Sequence, residues 1–270
     1  YFFFFFLEGT QAQLRRNRIP FGRINHIFIS HIHGDHFYGL FGLLSSFNLL
    51  QREKDLHIYA HKPLKKGIKY IMKHYEGRFS YKIHFHELDE EKKDKIYEDE
   101  NIEVFSFPLI HKIPTSGFLF VEKAKLPNIK KAYVQKYNIP IKDIHRIKSG
   151  GDFQTEDGTV IPNAELTYKP YKQRSYAFCS DTAYNESIIP IIENIDILYH
   201  EATFKEEHKK EAKNTTHSTA RQAAEIAKKA KVKKLIIGHF SARYKSIGDL
   251  EAEAISVFPK TIAAEDGLVK

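Results

Sequence analysis

The densest chemistry in the chain lies in six consecutive residues, His31-Ile32-His33-Gly34-Asp35-His36. Three imidazoles and a carboxylate in so short a span cannot all point one way from a helix or a strand. A loop wrapped around an ion can aim all four inward. The largely apolar Ile27 to Ser30 just before them reads as a strand that delivers this loop to a sheet end. Gly34 allows a tight backbone path, and ligation needs neutral imidazoles and an ionised carboxylate. A chance cluster of surface histidines is the competing account in a chain with 15 of them; the preceding strand weighs against it.

Further ligands follow other apolar runs. His111 comes after Ile102 to Ile110, Asp181 after Tyr176 to Ser180, and His239 after Leu235 to Gly238. Each alone is equally a loop histidine or a helix-capping aspartate. Together with the hexapeptide they supply seven nitrogen and oxygen ligands, enough for two ions about 3.5 to 4 Å apart with a carboxylate between them, which suits metal-assisted ester or phosphoester hydrolysis. Ligands without thiolate favour zinc and also accommodate manganese or iron.

Short apolar strands alternating with amphipathic helices must position these residues, which predicts a layered α/β protein. Strands are expected at Ile27 to Ser30, His57 to Ala60, Ile102 to Phe107, Ser175 to Cys179, Ile195 to Tyr199 and Leu235 to Gly238. Helices are expected at Phe37 to Leu50, Leu64 to His74, Thr219 to Ala230 and Asp249 to Phe258. In the third helix Thr219 and Gln222 form a capping box, Ala223, Ile226, Ala227 and Ala230 make an apolar face, and Lys228, Lys229 and Lys231 meet the negative end of the dipole.

At 270 residues with 42% hydrophobic composition, the chain can build a substantial core, which excludes a disordered or fibrous protein. Its single cysteine, Cys179, excludes an intrachain disulfide scaffold and predicts a reducing, cytoplasmic setting. No apolar run approaches the ~18 to 20 residues of a membrane span, so no membrane partner is expected. The balance of 42 Lys and Arg against 34 Asp and Glu gives a net charge of +8 and favours a polyanionic partner. Residues 89–100 are a charge run, read as a solvated turn. Residues 119–174 are too long for a simple connection and carry their own Pro and Gly punctuation. Between 123 and 148, Lys123, Lys125, Lys130, Lys131, Lys136, Lys142, Arg146 and Lys148 face one acid, Asp143. A solvated face is the plain account of such a stretch when no other nucleic-acid signal accompanies it.

Other segments supply that signal. Glu8-Gly9-Thr10-Gln11, Gly34 to Leu40, His200-Glu201-Ala202-Thr203-Phe204, His217-Ser218-Thr219 and Ser241-Ala242-Arg243-Tyr244 resemble, in order, five motifs of ribonuclease Z, the tRNA 3′-processing endonuclease family of the metallo-β-lactamase superfamily, and Pro170-x-Lys172-x-Arg174 resembles that family's loop for the tRNA acceptor end. From about Glu8 to the C-terminus the chain resembles this family.

The resemblance implies an αββα sandwich. Residues 1–118 and 175–270 would form the catalytic domain, and 119–174 an inserted flexible basic arm that binds tRNA, with a substrate loop. It implies that His31, His33 and His111 hold one ion, that Asp35, His36 and His239 hold the other, and that Asp181 bridges: two Zn2+ per chain, with Mn2+ or Fe2+ as substitutes. Asp35 would orient the attacking water, His217 with Glu201 would protonate the leaving oxygen, and Arg243 would neutralise phosphoryl charge. Lys130, Lys131 and Lys136 of the arm, with Lys172 and Arg174, would contact precursor tRNA, and the enzyme would be a homodimer in which one arm serves the other subunit's metals.

The chain departs from the family pattern twice. Phe5 or Phe6 stands where an aspartate bracing the metal loop is expected, so N-terminal strands are expected to be missing; the arm reads Ile139-Pro140-Ile141 where a Gly-Pro pair is usual. The rival enzyme reading is another phosphodiesterase or hydrolase of the same superfamily, which the arm and the Pro170 to Arg174 loop argue against. A noncatalytic RNA-binding protein is the rival from a different class, and the complete ligand set argues against that.

Overall fold

A computed structural model describes residues 2–3, 9–74, 79–169, 171–265 and 267. Glu8, Phe5, Phe6 and Pro170, on which parts of the family comparison rest, lie outside the described residues. Alternation along short strands builds the first sheet. Its order is β1 (Phe2–Phe3), β2 (His26–Phe28), β3 (Leu56–Ala60) and β4 (Ile83–Glu87), all parallel. Ile27, Leu56, Ile58 and Ala60 face one way, into a cluster with Leu14 of α1 (Thr10–Arg16), Leu40, Leu43, Leu44 and Phe47 of α2 (Gly34–Leu49), and Leu64 and Ile68 of α3 (Lys62–His74). The spacing of the buried positions in α2 is that of a one-faced helix.

The other face of this sheet meets a second sheet. Phe28 packs edge-on against Phe118 and Phe120 with ring centroids 5.4 and 5.6 Å apart. Both belong to β7 (Ser116–Glu122), which follows β5 (Asp94–Glu98) and β6 (Ile102–Pro108). Two further strands, β8 (Phe153–Gln154) and β9 (Val160–Ile161), form a separate hairpin. The large sheet then continues through β10 (Ser175–Cys179), β11 (Ile197–Glu201), β12 (Lys234–Gly238) and β13 (Thr261–Ala263), in the order β13-β12-β11-β10-β7-β6-β5.

Chain contacts separate two compact units: Tyr1–Tyr97 with Val104–Phe120 and Ser175–Lys270, and Glu98–Glu103 with Val121–Arg174. The second unit contains α4 (Lys131–Lys136), α5 (Ile141–Lys148), the β8/β9 hairpin and α6 (Asn163–Leu166). It has its own small core of Ile139, Ile147, Phe153, Ile161 and Leu166. In the first unit, after α7 (Lys209–Thr215), α8 (Ala220–Lys229) and α9 (Gly248–Val257) cover the outer face of the large sheet, completing the αββα layering. The α8 capping box forms as the sequence predicts, with Thr219 Oγ1 accepting from Gln222 N and Gln222 Oε1 accepting from Thr219 N.

Three local expectations are corrected. Helix α2 begins at Gly34, not Phe37, because His36 N already donates to His33 O at 2.9 Å; Asp35 and His36 therefore ride on its first turn, where a carboxylate complements the helix dipole. Gly34 is accordingly helical, and what its hydrogen leaves room for is the Tyr38 ring, 2.4 Å from where a Cβ would stand. The charge run at 89–100 holds strand β5 and not only a turn, while β11 starts two residues later than expected and so carries Glu201 on the strand. No helix among the described residues is long and apolar enough to cross a membrane.

Within the large sheet Gly117 of β7 is closely packed by its neighbouring strands: a Cβ there would lie 2.5 Å from the buried Phe107 ring of β6 and 3.1 Å from the Phe178 carbonyl oxygen of β10. Gly117→Ala is expected to cost about 1–3 kcal/mol through overpacking, seen as a lower urea midpoint in equilibrium unfolding.

Candidate metal centre

The loops after β2, β6, β10 and β12 converge at one end of the two sheets. His31 and His33 stand between β2 and α2, Asp35 and His36 on the first turn of α2, His111 after β6, Asp181 after β10 and His239 after β12. The ligand atoms of His31, His33, His111 and Asp181 lie within 4.8 Å of one another, as do those of Asp35, His36 and His239. Asp181 joins the two groups. Its Oδ2 faces His31 Nε2 at 3.5 Å and His111 Nε2 at 3.9 Å, while Oδ1 faces His36 Nε2 at 3.5 Å and His239 Nε2 at 3.4 Å. Asp35 Oδ2 is 3.3 Å from His36 Nε2 and 3.6 Å from His239 Nε2, and His33 Nδ1 is 3.2 Å from His111 Nε2.

These separations are mostly long for hydrogen bonds. They lie at or a few tenths of an ångström beyond the spacing of two atoms bound to one ion, roughly 2.9 to 3.4 Å for metal–ligand bonds of about 2.0–2.1 Å. His31 Nε2 is buried with no hydrogen-bond partner, a donor the fold leaves for something other than protein. Burial holds His31 down at about 4, in the neutral form that binds metal. At His239 burial works against the charged form too, but Asp35, Asp181 and Glu201 overcome it and raise the ring to about 9. The hydrogen bond with His239 lowers Asp35 to about 2 against burial. Asp181 is pushed up by burial but held well below the carboxylate range by His31, His36 and His239. The field of the site selects for positive charge, and the residues fit a metal ion.

A surrounding set of hydroxyls and carbonyls orients the rings. Ser30 Oγ, 3.0 Å from His31 Nδ1, donates to Ser180 Oγ at 3.1 Å, linking the loop of one sheet to the residue before Asp181 in the other. His111 Nδ1 donates to the Thr216 carbonyl at 2.9 Å, and His239 Nδ1 to Thr203 Oγ1 at 2.9 Å, so each turns Nε2 inward. His239 itself sits at φ 59°, a left-handed conformation uncommon for residues other than glycine. The sequence reading missed Ser30, Ser180, Thr203 and Thr216; Thr203 alone carried a signal, through its place in the His200 to Phe204 segment.

Glu201 is fully buried at the end of β11. Oε1 accepts from Thr182 N, Ser218 N and His217 Nδ1 at 3.0, 3.1 and 2.8 Å, and Oε2 from Thr203 N and Thr203 Oγ1 at 2.9 and 2.8 Å. So many donors compensate a buried carboxylate. His217, held at Nδ1, stacks on His239 with centroids 5.5 Å apart and also lies near Asp181, which places it at the edge of the metal cluster. Arg243 lies over the Phe204 ring at 4.8 Å, and that ring is 6.2 Å from His217.

The remaining candidates belong to the second unit. Lys131 and Lys136 are exposed at either end of α4, Lys136 lying 4.9 Å from the Tyr137 ring centroid; Lys130 donates to the Glu165 carbonyl at 2.8 Å. Lys172 is exposed. Arg174 is clasped by Glu122, whose carboxylate accepts from its Nε at 3.0 Å and from its backbone N at 3.0 Å.

The sequence profile of the metallo-beta-lactamase superfamily matches residues 6–122, so fold and site together define a metal-dependent hydrolase centre of that superfamily. Ribonuclease Z of Parabacteroides distasonis is 49% identical over 97% of this chain and 86% of its own length; that of Bacteroides thetaiotaomicron is 47% identical over 97% and 83%. The crystal structure of the short form of human tRNase Z superposes with a TM-score of 0.68 at 28% identity, covering 99% of this chain and 86% of that one. The chain belongs to the ribonuclease Z family.

The raised His239 makes metal uptake compete with a proton. Between neutrality and about pH 9 the ring must lose that proton to ligate, so apparent metal affinity is expected to rise by about tenfold per pH unit and to level off above. Chelator-competition titrations across this range check the slope; an affinity flat from pH 6 to pH 9 contradicts it.

Proposed function

We propose that this chain is the endoribonuclease that removes the 3′ trailer of precursor tRNA, leaving a 3′-hydroxyl on the tRNA and a 5′-phosphate on the trailer. The observation that carries the reading is the Asp181-centred cluster with a Glu201–His217 pair at its rim, in a chain of the ribonuclease Z family. Two ions fit the way Asp181 divides its oxygens between two ligand groups; zinc is the proposed metal, with manganese or iron able to take the same donors. Bound there, the ions supply Lewis acidity and a water of lowered pKa.

The protein's own groups then do the following. Asp35, at the solvent side of the cluster, orients the attacking water and takes its proton. As that oxygen bonds to phosphorus and the P–O3′ bond breaks, His217 Nε2 gives a proton to the departing 3′-oxygen. Glu201 keeps Nδ1 protonated and the ring in place. Arg243, steadied on Phe204, offers its planar donors to the phosphoryl oxygens. The basic second unit serves as the tRNA-binding arm, through Lys130, Lys131 and Lys136, with Lys172 and Arg174 in the substrate loop. The proposed assembly is a homodimer in which one arm presents tRNA to the partner's metals. The buried, unpaired Cys179 suits a cytoplasmic site of action.

Incubation of the protein with a trailer-bearing pre-tRNA, with and without chelator, tests the reading: metal-dependent cleavage after the discriminator base supports it, and no cleavage after metal supplementation overturns it. His217→Ala is expected to lower kcat by about 10²–10⁴-fold while leaving pre-tRNA Kd nearly unchanged; equal loss of both in single-turnover and binding assays rejects the acid role. Lys131→Ala with Lys136→Ala should weaken pre-tRNA binding and flatten the log–log salt dependence by about one per lysine removed, with kcat at saturation preserved.

A further inference from the structure

Three aromatic residues stand near the start of α2, and they do different things. Phe37 and Phe41 pack against the core cluster of the first sheet; Tyr38 takes no part in that cluster and is 58% exposed. A single exposed aromatic is ordinary on a protein surface and by itself means nothing. Tyr38 differs in how it is held and in where it is held.

Long side chains on a helix lean back toward its N-terminus, over the preceding turn. The Tyr38 ring does so completely: it rests on Gly34, where a Cβ would fall on its Cε2, Cδ2 and Cζ atoms. It also touches the Phe37 ring, with centroids 4.7 Å apart. An aromatic face is thus kept against the backbone of the metal-binding segment while most of it stays open to solvent. Asp35 precedes Tyr38 by three residues, so the two project from the same side of the helix. Asp35 is itself exposed, and its Oδ2 meets His239 Nε2 at 3.6 Å. The loop after β12 that supplies His239 brings the exposed Arg243 four residues later. The mouth of the cluster therefore has an aromatic ring on its α2 side and a guanidinium on the loop after β12.

A phosphodiester held at this mouth carries a nucleoside on either side of the reacting phosphorus. Unpaired bases present π faces, which exposed aromatic rings take by stacking with little regard to base identity. We propose that Tyr38 is a stacking platform for one of the two bases flanking the scissile phosphate, and that it fixes the course of the RNA strand over the cluster. This rests on the pre-tRNA reading of the same site. Stacking uses the ring and not the hydroxyl, so phenylalanine can replace tyrosine and an aliphatic side chain cannot.

Single-turnover cleavage by the zinc-loaded protein tests the role, with trailer-bearing pre-tRNA either intact or made abasic at the nucleotide on the 5′ or the 3′ side of the cleavage site. Tyr38→Leu is expected to lower kcat/KM on the intact substrate by about 5–100-fold, and Tyr38→Phe far less. An abasic nucleotide at the stacked position should cost the wild-type chain a similar factor and cost Tyr38→Leu almost nothing more, the non-additivity of two partners in contact. Circular dichroism and zinc content identify folded variants, and Tyr38→Ala takes the place of Tyr38→Leu if the latter is not folded. Wild-type rates on both abasic substrates, a full further loss when either is given to Tyr38→Leu, or a loss in Tyr38→Phe equal to that in Tyr38→Leu overturns the stacking role and leaves the cleavage activity standing. Absence of pre-tRNA cleavage by the wild-type chain overturns the activity, and this role with it.

Discussion

A carboxylate withdrawn from water must be compensated, and at Asp181 the compensation organises the molecule. Burial pushes this group toward its neutral form; the surrounding imidazoles more than offset it and keep it ionised. With Oδ2 turned to His31 and His111 and Oδ1 to His36 and His239, one residue after β10 has to meet residues carried by β2, α2, β6 and β12. The two sheets must therefore stack in one alignment, and the aromatic contact of Phe28 with Phe118 and Phe120 lies within the same interface. Two buried hydroxyls, Ser30 and Ser180, join the sheets immediately beside the charged atoms. Packing and chemistry are not separable at this end of the sandwich.

The parts legible in the sequence were those written in local patterns. The hexapeptide, the ligands at the ends of apolar runs and the α8 capping box could be read from residue type and spacing. Strand β4 escaped because its polar positions are histidines, and β5 because it lies inside a charge run. The start of α2 was misplaced because metal-binding residue types suggested a loop, whereas Asp35 also suits the first turn of a helix. Glu201 was recognisable only through family resemblance. Its five hydrogen bonds come from positions 182, 203, 217 and 218, and no spacing rule anticipates such a gathering.

The second unit shows a different balance of forces. Its lysines gave it a sequence signature of charge, yet what defines it structurally is a small apolar core under short helices and a hairpin. Several of its cations have protein partners: Lys123 with Glu98, Arg146 with Asp143, Arg174 with Glu122. Net charge thus overstates the number of groups available to a polyanion, and the exposed ends of α4 carry more of that role than the composition of the segment implies.

The Ser30–Ser180 link also has a meaning for biogenesis. Ligands numbered from 31 to 239 come from strands of both sheets, so no partly folded segment assembles the full donor set. Slippage of a strand by a single residue would turn its side chains to the opposite face. The centre is therefore a gauge of correct assembly: chains with mispaired sheets lack a complete pocket, and destructive hydrolytic power is withheld until tertiary structure is finished.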